Sequence, residues 1–428
     1  MRPRGPGKAF RRPLPLLTGV VLMLAACAAT PEPLNQIPEG DYRERIQVQE
    51  AWGVRVSAAV PSARESEELF GKPLYKRGIQ PVWLKIENAL SEPITFLPVG
   101  LDPEYFSPLE VANLEVPDAP APTSLIDEFF IEQGMRLLMQ PGEKMSGFVF
   151  TKLDEGTKAF NVDIRSTEDF TTFTFFIPVP GLNIDHYQVD WRNLYADEEW
   201  VELERDRLIE EIEKYACCVT DKSGENTGDP LNLILIGMPR DIYTAFIRAG
   251  WDETEAITQA STLKTIGSFL SGSQYRYSPV SSLYALGRAQ DIAFQKIREN
   301  INERNHLRLW MSRITYQGLP VWVGQISRDI GVRFTAKTIT THKIDPDVDE
   351  TREYLLENLA YAQSLRAFGY VGGVGEVPME QPRGNLTGDP WFTDGYRLVL
   401  WVTSEPVPIS ELQVLNWRYP KSISRFDQ

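Results

Sequence analysis

The stretch HLRLWMSRITYQGLPVWVGQIS, residues 306–327, decides how the second half of the chain is read. Apolar and polar residues alternate on both sides of QGLP, so His306, Arg308 and Trp310 share one face of a strand while Leu307, Leu309 and Met311 share the other. Two such runs around a glycine-bearing turn predict a β-hairpin. Downstream, VRFTAKTITTH (332–342) reads as a third strand, with Val332, Phe334, Ala336, Thr338, Thr340 and His342 on one face. DPDVDETREYLLENLAYAQ (345–363) reads as a helix and GYRLVLWVT (395–403) as a further strand. Upstream, PLNLILIG (230–237) is a buried-strand run. MPRDIYTAFIRAGW (238–251) follows it, with Ile242, Ala245, Phe246 and Ala249 on one helical face before Gly250 ends the helix. Strands and hairpins interleaved with helices indicate an α+β domain.

The first half has a different period. From Arg45 to about Pro180, the runs RIQVQEAWGVRVSAAV, QPVWLKIENAL, EPITFLPV, EKMSGFVFTKL, AFNVDIRS and TTFTFFIPV alternate apolar with polar residues. In QPVWLKIEN, Val82, Leu84 and Ile86 face one way and Lys85 and Glu87 the other. Six runs separated by turn-rich pieces such as PGEK and DEGTK predict an all-β, immunoglobulin-like sandwich. DEEWVELERDRLIEEIEKYA (197–216) then places Trp200, Leu203, Leu208, Ile209 and Ile212 on a helical stripe, and SGENTGDP (223–230) breaks the chain, so a connecting helix and linker are expected there.

The amino terminus carries an address. MRPRGPGKAFRRP has five basic residues and no acid, LPLLTGVVLMLA is apolar, and Leu24-Ala25-Ala26-Cys27 resembles the lipobox of bacterial lipoproteins. The apolar run is shorter than the ~20 residues a membrane span needs. The resemblance implies cleavage before Cys27, acylation of Cys27 with a palmitate-type chain, and, since Ala28 rather than Asp follows, sorting to the outer membrane with the body facing the periplasm. AATPEPLNQIPEGDY after Cys27 reads as a polar, proline-rich tether. The formal net charge of −15 falls by five to −20 once residues 1–26 are removed. So acidic a body repels nucleic acid and offers no basic stripe, which leaves the membrane, through the anchor, and an envelope protein as the expected partners. Cys217 and Cys218, adjacent in KYACCVTD, lack the spacing of a CxxC motif or a zinc knuckle. They are expected to be two inert or partly buried thiols, with a redox-active vicinal pair as the alternative.

The blocks PLNLILIG, AGW, SPVSSLYALGRAQDIAFQK, RNHLRLW, VWVGQISRDIG and THKIDPDVDETREYL together resemble the LssY carboxy-terminal domain family, over roughly residues 228–405. The resemblance implies a module that in relatives is appended to membrane-embedded domains and whose activity is not established. It supplies a fold unit and no mechanism. The stretch ETR at 350–352 departs from the acid–base–acid succession expected of the family. The resulting plan is two-domain: a signal peptide (1–26), a lipidated tether (27–42), a β-sandwich (43–190), a connecting helix and linker (191–227), an LssY-C-like α+β domain (228–405) and a carboxy-terminal tail (406–428).

His306, Arg308, His342, Asp345, Asp349, Arg288 and Asp291 are the candidate functional residues. Were the two strands neighbours, His306, His342 and Asp345 could hold a divalent metal, or a histidine base could be oriented by an acid while Arg308 holds an anionic oxygen. Either arrangement would suit an envelope hydrolase acting on a phosphate or ester. A structural account competes. Asp345 ahead of Pro346 reads as a helix N-cap, Asp347, Asp349 and Glu350 fill a first turn where the helix dipole favours anions, and Arg352 pairs with Asp349 or stays solvated. Arg288 and Asp291 in GRAQDIAFQK read as a surface ion pair, or as an anion-binding arginine oriented by its neighbour. The loop FGYVGGVGEVPMEQPRGNLTGDPWF (368–392) fails as a dinucleotide cradle, because a helix rather than a strand is expected before it. A binding module presenting the α+β domain on a lipid anchor is the first functional expectation, and the hydrolase the second.

Overall fold

The computed structural model describes residues 41–114, 125–182, 184, 189, 194–195, 200–254, 277, 280–297, 304–333 and 341–420. The leader, Cys27 and the tether lie outside these residues. The protein is mostly β, with several sheets. Of the six runs read between Arg45 and Pro180, the first is a hairpin of two strands that turns at Trp52 and Gly53, and the other five hold one strand each. The strands β1 (Gln47–Ala51), β2 (Val54–Ala59), β3 (Ile79–Asn88) and β6 (Lys144–Lys152) form one four-stranded sheet in the order β1-β2-β3-β6. A second sheet runs β5-β4-β7-β8, from β4 (Ile94–Leu97), β5 (Leu138–Met139), β7 (Thr157–Arg165) and β8 (Phe170–Pro178). Val82, Leu84 and Ile86 of the first sheet share one buried cluster with Phe96, Val162, Ile164, Phe173 and Phe175 of the second. The period-two pattern of these strands therefore turns one face of each sheet into a common core. The other face of the first sheet is covered by helices α1 (Ala63–Phe70), α2 (Pro108–Ala112) and α3 (Leu125–Gln133), where Phe70, Phe130, Phe148 and Phe150 pack edge-on and stacked.

The second half is built on a ten-stranded mixed sheet. Its main path runs β13 (Asp252–Glu253), β16 (Ile292–Ile297), β17 (Arg304–Tyr316), β18 (Leu319–Arg333), β12 (Leu233–Ile236), β23 (Arg397–Val402), β20 (Leu365–Val371) and β24 (Gln413–Val414), with β9 (Val201–Glu202) beside β17 and β19 (Thr341–Ile344) beside β18. The hairpin read from residues 306–327 is β17–β18, closed by Gln317 and Gly318, both at positive φ (50° and 75°). That is a type I′ turn, whose twist matches the strands it joins. Helices α5 (Pro239–Arg248) and α6 (Val348–Tyr361) cover one face of the sheet, burying Ile242, Phe246, Leu355 and Leu359 against Leu233, Leu307, Leu309 and Trp322. Helix α4 (Arg205–Glu213) covers the other, with Leu208, Ile209 and Ile212 against Ile234, Trp310, Val323 and Trp401. A smaller sheet, β11 (Thr227–Pro230), β10 (Cys218–Thr220), β14 (Tyr284–Ala285) and β15 (Arg288–Ala289), and the pair β21 (Arg383–Gly384) and β22 (Pro390–Trp391) complete the described strands.

Several expectations change here. The helical stripe from Trp200 shortens to Arg205–Glu213, because Val201 and Glu202 pair in parallel with Ile314 and Thr315. The segment read as a linker forms β10 and β11. The connector is thus part of the second sheet system, and residues 35–428 cluster as one compact unit in which Thr157 Oγ1 donates to Glu253 Oε1 at 2.9 Å. The run 332–342 is two strands: Val332 pairs antiparallel with His342, while 334–340 lie outside the described residues. A strand, β20, opens the glycine-rich stretch after Leu365, where a helix was expected to precede it. Within the stretch read as a tail, Gln413 and Val414 pair with β20 and Trp417 is buried.

At the sheet's centre β12 and β23 run parallel, and Arg397 opens β23. Its side chain is fully buried, and its guanidinium donates to six backbone carbonyls: Leu231, Ile212, Gly372, Gly373, Tyr215 and Ala216, at 2.9 to 3.3 Å. A Cβ on Gly373 would stand 2.2 Å from the guanidinium, so glycine is required there. Burial lowers the Arg397 pKa to about 10, which leaves it charged at neutral pH. Replacing Arg397 with Met leaves buried carbonyls without donors and is expected to destabilise the fold by about 3–5 kcal/mol. Arg397→Lys, with three donors in place of a planar fork, should recover only part of this. Urea denaturation of the three proteins measures both quantities.

Candidate functional site

On the α4 side of the sheet, where β16, β17 and β18 lie together, alternation brings polar rather than apolar side chains inward. Gln295, Arg304, His306, Arg308, Gln325, Ser327 and Asp329 are all buried. His306 lies opposite Gln295 on one side and Ser327 on the other, and Arg308 lies opposite Gln325. His306 Nε2 is 2.6 Å from Asp329 Oδ2, and Arg304 Nε is 3.6 Å from the same oxygen. Arg304 Nη1 donates to Gln295 Oε1 at 2.9 Å, and Arg308 Nη1 to Gln325 Oε1 at 3.0 Å. Arg308 Nε reaches the carbonyl of Ser281. Burial, helped by the neighbouring Arg304 and Arg308, lowers the His306 pKa to about 4 against the pull of Asp329. At neutral pH His306 is therefore uncharged, and in the Nε2–H tautomer it donates to Asp329 Oδ2. Near this row, burial raises the Asp229 pKa to about 6 against the hydrogen bond from Asn385 and the attraction of Arg308.

The other candidates lie elsewhere. His342 sits on β19 opposite Val332, five positions along β18 from Ser327, the partner of His306, or about 16 Å of strand. The backbone register thus does not bring the two histidines together at one level of the sheet, and the His342 side chain lies outside what is described. Asp345 is not the cap of α6. That role falls to Asp347, whose carboxylate accepts from Glu350 N, while Asp345 Oδ1 accepts from Asp347 N. The proline therefore lies ahead of the cap instead of at the first helical position. Arg288 and Asp291 do pair, through two bonds of 2.8 and 2.7 Å, but Asp291 is buried and also accepts from Met311 N, while Arg288 donates to Tyr195 Oη and to the Met311 carbonyl. The pair stitches the start of β16 to β17 and is not a surface ornament. Among the described residues, no group of three His, Cys, Asp or Glu side chains gathers as a metal would require.

Asp349 belongs to a second charged assembly at the start of α6. Arg352 is 2% exposed and is neither solvated nor paired with Asp349 alone. It meets Asp394 through two bonds of 3.1 and 3.0 Å, Glu353 at 3.0 Å, Asp349 at 3.2 Å and the Tyr396 carbonyl at 2.6 Å. Tyr370 Oη donates to Glu353 Oε2 at 2.7 Å. Asp349 also accepts from Thr393 Oγ1 and Asp394 N, yet burial raises its pKa to about 6. Asp349, Arg352, Glu353, Thr393 and Asp394 line a cleft of about 690 Å³, with Asp347, Glu350, Glu376, Met379, Glu380 and Phe392 among its other walls.

The partner of His306 was missed, and a signal for it existed. Gln325, Ser327 and Asp329 alternate in VWVGQISRDIG, as Arg304, His306 and Arg308 do in RNHLR, so both arms of the hairpin carry a polar face. Counted from the turn at Gln317 and Gly318 with no bulge, His306 falls opposite Asp329; the register shift between Met311 and Thr315 moves it by two residues, opposite Ser327, with Asp329 still in reach. Cys217 and Cys218 are not inert thiols. They are joined by a disulfide.

Residues 198–396 match the family model described as LssY C-terminus. The match begins some 30 residues before the 228 start expected from the sequence blocks, and so takes in β9, α4 and β10. No curated protein matches the chain.

The His306 shift has a measurable sign. Its folded pKa, about 4, lies below the ordinary 6.5, so between these values the unfolded chain binds the extra proton. The stability this contributes is present above about pH 6.5 and is lost as pH falls towards 4. Wild type should therefore lose about 2 kcal/mol relative to His306→Asn between pH 7.5 and 5. Asp229 and Asp349, raised to about 6, act with the opposite sign, their penalty easing as pH falls, and drop out of the difference because both proteins carry them. Urea midpoints at the two pH values check this.

Proposed function

We propose that the protein is a lipid-anchored cell-envelope protein whose β-sandwich carries an LssY-C-like module, and that this module binds a cationic envelope partner in its acidic cleft. The observation that carries the reading is the charge of that cleft. Asp347, Asp349, Glu350, Glu353, Glu376, Glu380 and Asp394 surround it, and the Arg352 among them is already neutralised by three of these carboxylates. A concave wall of one sign concentrates counter-charged ligands and speeds their capture, an effect that salt weakens. The immunoglobulin-like reading of the sandwich is supported by strand order. The set β2-β3-β6 and the set β4-β7-β8 follow the A-B-E and C-F-G succession of that fold, with β1 added at an edge. The envelope address, outer membrane with the body in the periplasm, rests on the leader and Cys27. The Cys217–Cys218 bond is consistent with an oxidising compartment.

A second reading, hydrolysis of a phosphate or ester, has one observation in its favour: the 2.6 Å His306–Asp329 contact flanked by Arg304 and Arg308. Against it stands a histidine buried in the sheet, its pKa held at about 4, far below where a base working near neutral pH is poised. Turnover of a simple phosphomonoester or carboxylic ester that disappears in His306→Asn would favour this reading.

The binding reading predicts that a lysine-rich peptide binds the protein with an affinity that falls as salt rises. Glu376→Gln combined with Glu380→Gln should weaken binding roughly three- to ten-fold. Equal titration curves for wild type and the double variant would sink it. The anchor is tested separately: a fatty-acid analogue should label the wild type in cells and leave Cys27→Ser unlabelled.

A further inference from the structure

We propose that Cys217–Cys218 is a thiol–disulfide exchange site that accepts a small thiol or dithiol in the cleft beside Cys218. A bond between adjacent residues closes almost no chain loop, so it removes little entropy from the unfolded state and lacks the usual stabilising role of a disulfide. Its surroundings suit chemistry instead. Cys218 is one wall of a cleft of about 360 Å³, with Tyr215, Ser223, Tyr284 and Leu286 among the others.

The two sulfurs are not equivalent. Cys218 is buried among Ile344, Val348, Val377 and Trp391, where a negative charge would be poorly solvated. Cys217 is half-buried, and its Sγ lies 3.8 Å from Arg383 Nη1, a guanidinium that sits over the Trp391 ring. The sulfur that departs carries the electron pair, and the better leaving group departs faster. Leaving-group chemistry therefore selects one direction. An incoming thiolate bonds to Cys218 Sγ from the cleft, the sulfur–sulfur bond breaks, and Cys217 leaves as a thiolate beside Arg383. A second thiol, from the same dithiol or another molecule, then attacks the sulfur of the attached reductant and releases Cys218. The reductant becomes a disulfide, and the protein gains two electrons and two protons. The reverse sequence oxidises a dithiol.

The backbone around the pair is held independently of the bond. The Cys217 carbonyl accepts from Leu231 N at 2.7 Å, and the carbonyls of Tyr215 and Ala216 are gripped by Arg397. Opening the ring is therefore expected to leave the fold in place.

The test uses the folded full chain with dithiothreitol, quenched by N-ethylmaleimide and read by intact mass. Two adducts that appear only after reduction, on Cys217 and Cys218, with the melting temperature unchanged, are expected. With glutathione, fragment masses should place the mixed disulfide on Cys218 and the alkyl group on Cys217. Arg383→Leu should slow native reduction roughly three-fold, while Arg366→Leu, a control elsewhere on the surface, leaves the rate unchanged. A bond that opens only in denaturant, a mixed disulfide on Cys217, or an Arg383→Leu rate equal to wild type overturns the proposal.

Discussion

A buried guanidinium held by backbone carbonyls alone is the constraint on which the second half of this protein turns. Arg397 takes a positive charge into the interior and meets no carboxylate there, so the cost of leaving water is offset only if every donor finds an oxygen. The oxygens come from the end of α4, the segment after it, the approach to β12 and the exit from β20. Three separate stretches, 212–216, Leu231 and 372–373, must therefore arrive together at Arg397. The carbonyls at the carboxy-terminal end of a helix carry partial negative charge, which makes α4 a suitable donor of oxygens to a cation. One side chain thereby registers the helix on one face, the parallel pair at the centre of the sheet and the turn required to carry Gly373.

The same sheet solves the problem of internal charge in two further ways. In the β16–β17–β18 row, burial keeps His306 neutral and lets it donate to Asp329, while Arg304 and Arg308 are steadied by glutamine oxygens. At the start of α6, Arg352 is surrounded by three carboxylates, and the excess of acid is displayed to solvent in a cleft. The first arrangement is enclosed within the sheet, away from solvent. The second leaves charge uncompensated at a concave surface, where it can act on something outside the molecule. That difference favours binding at the cleft over catalysis at the histidine.

Local pattern carried a good deal of this structure. The period-two strands of the first half, the hairpin of residues 306–327 and the helix before Gly250 follow from alternation and helical spacing, and each is found. Readings failed where partners lay far away. Trp200 and Leu203 fit a helical stripe, yet Val201 and Glu202 pair with β17, because an open strand edge outweighed helix propensity. Asp345-Pro346 looked like a cap, yet Asp347, two residues on, is the cap that accepts from Glu350. Arg352 looked like half of a weak surface pair because Asp394, its strongest partner, is 42 positions away.

What the sequence determined by itself is periodic or contiguous: strand faces, helix stripes, the family blocks and the adjacency of the two cysteines. These depend on neighbours within a few residues, where backbone geometry dictates which side chains share a face. Tertiary structure alone decided that Asp394 meets Arg352, that six carbonyls meet at Arg397 and that Cys217 and Cys218 are bonded beside Arg383. Each requires a register, a bulge or a crossing of segments whose energy belongs to the packed whole, and no local pattern records it.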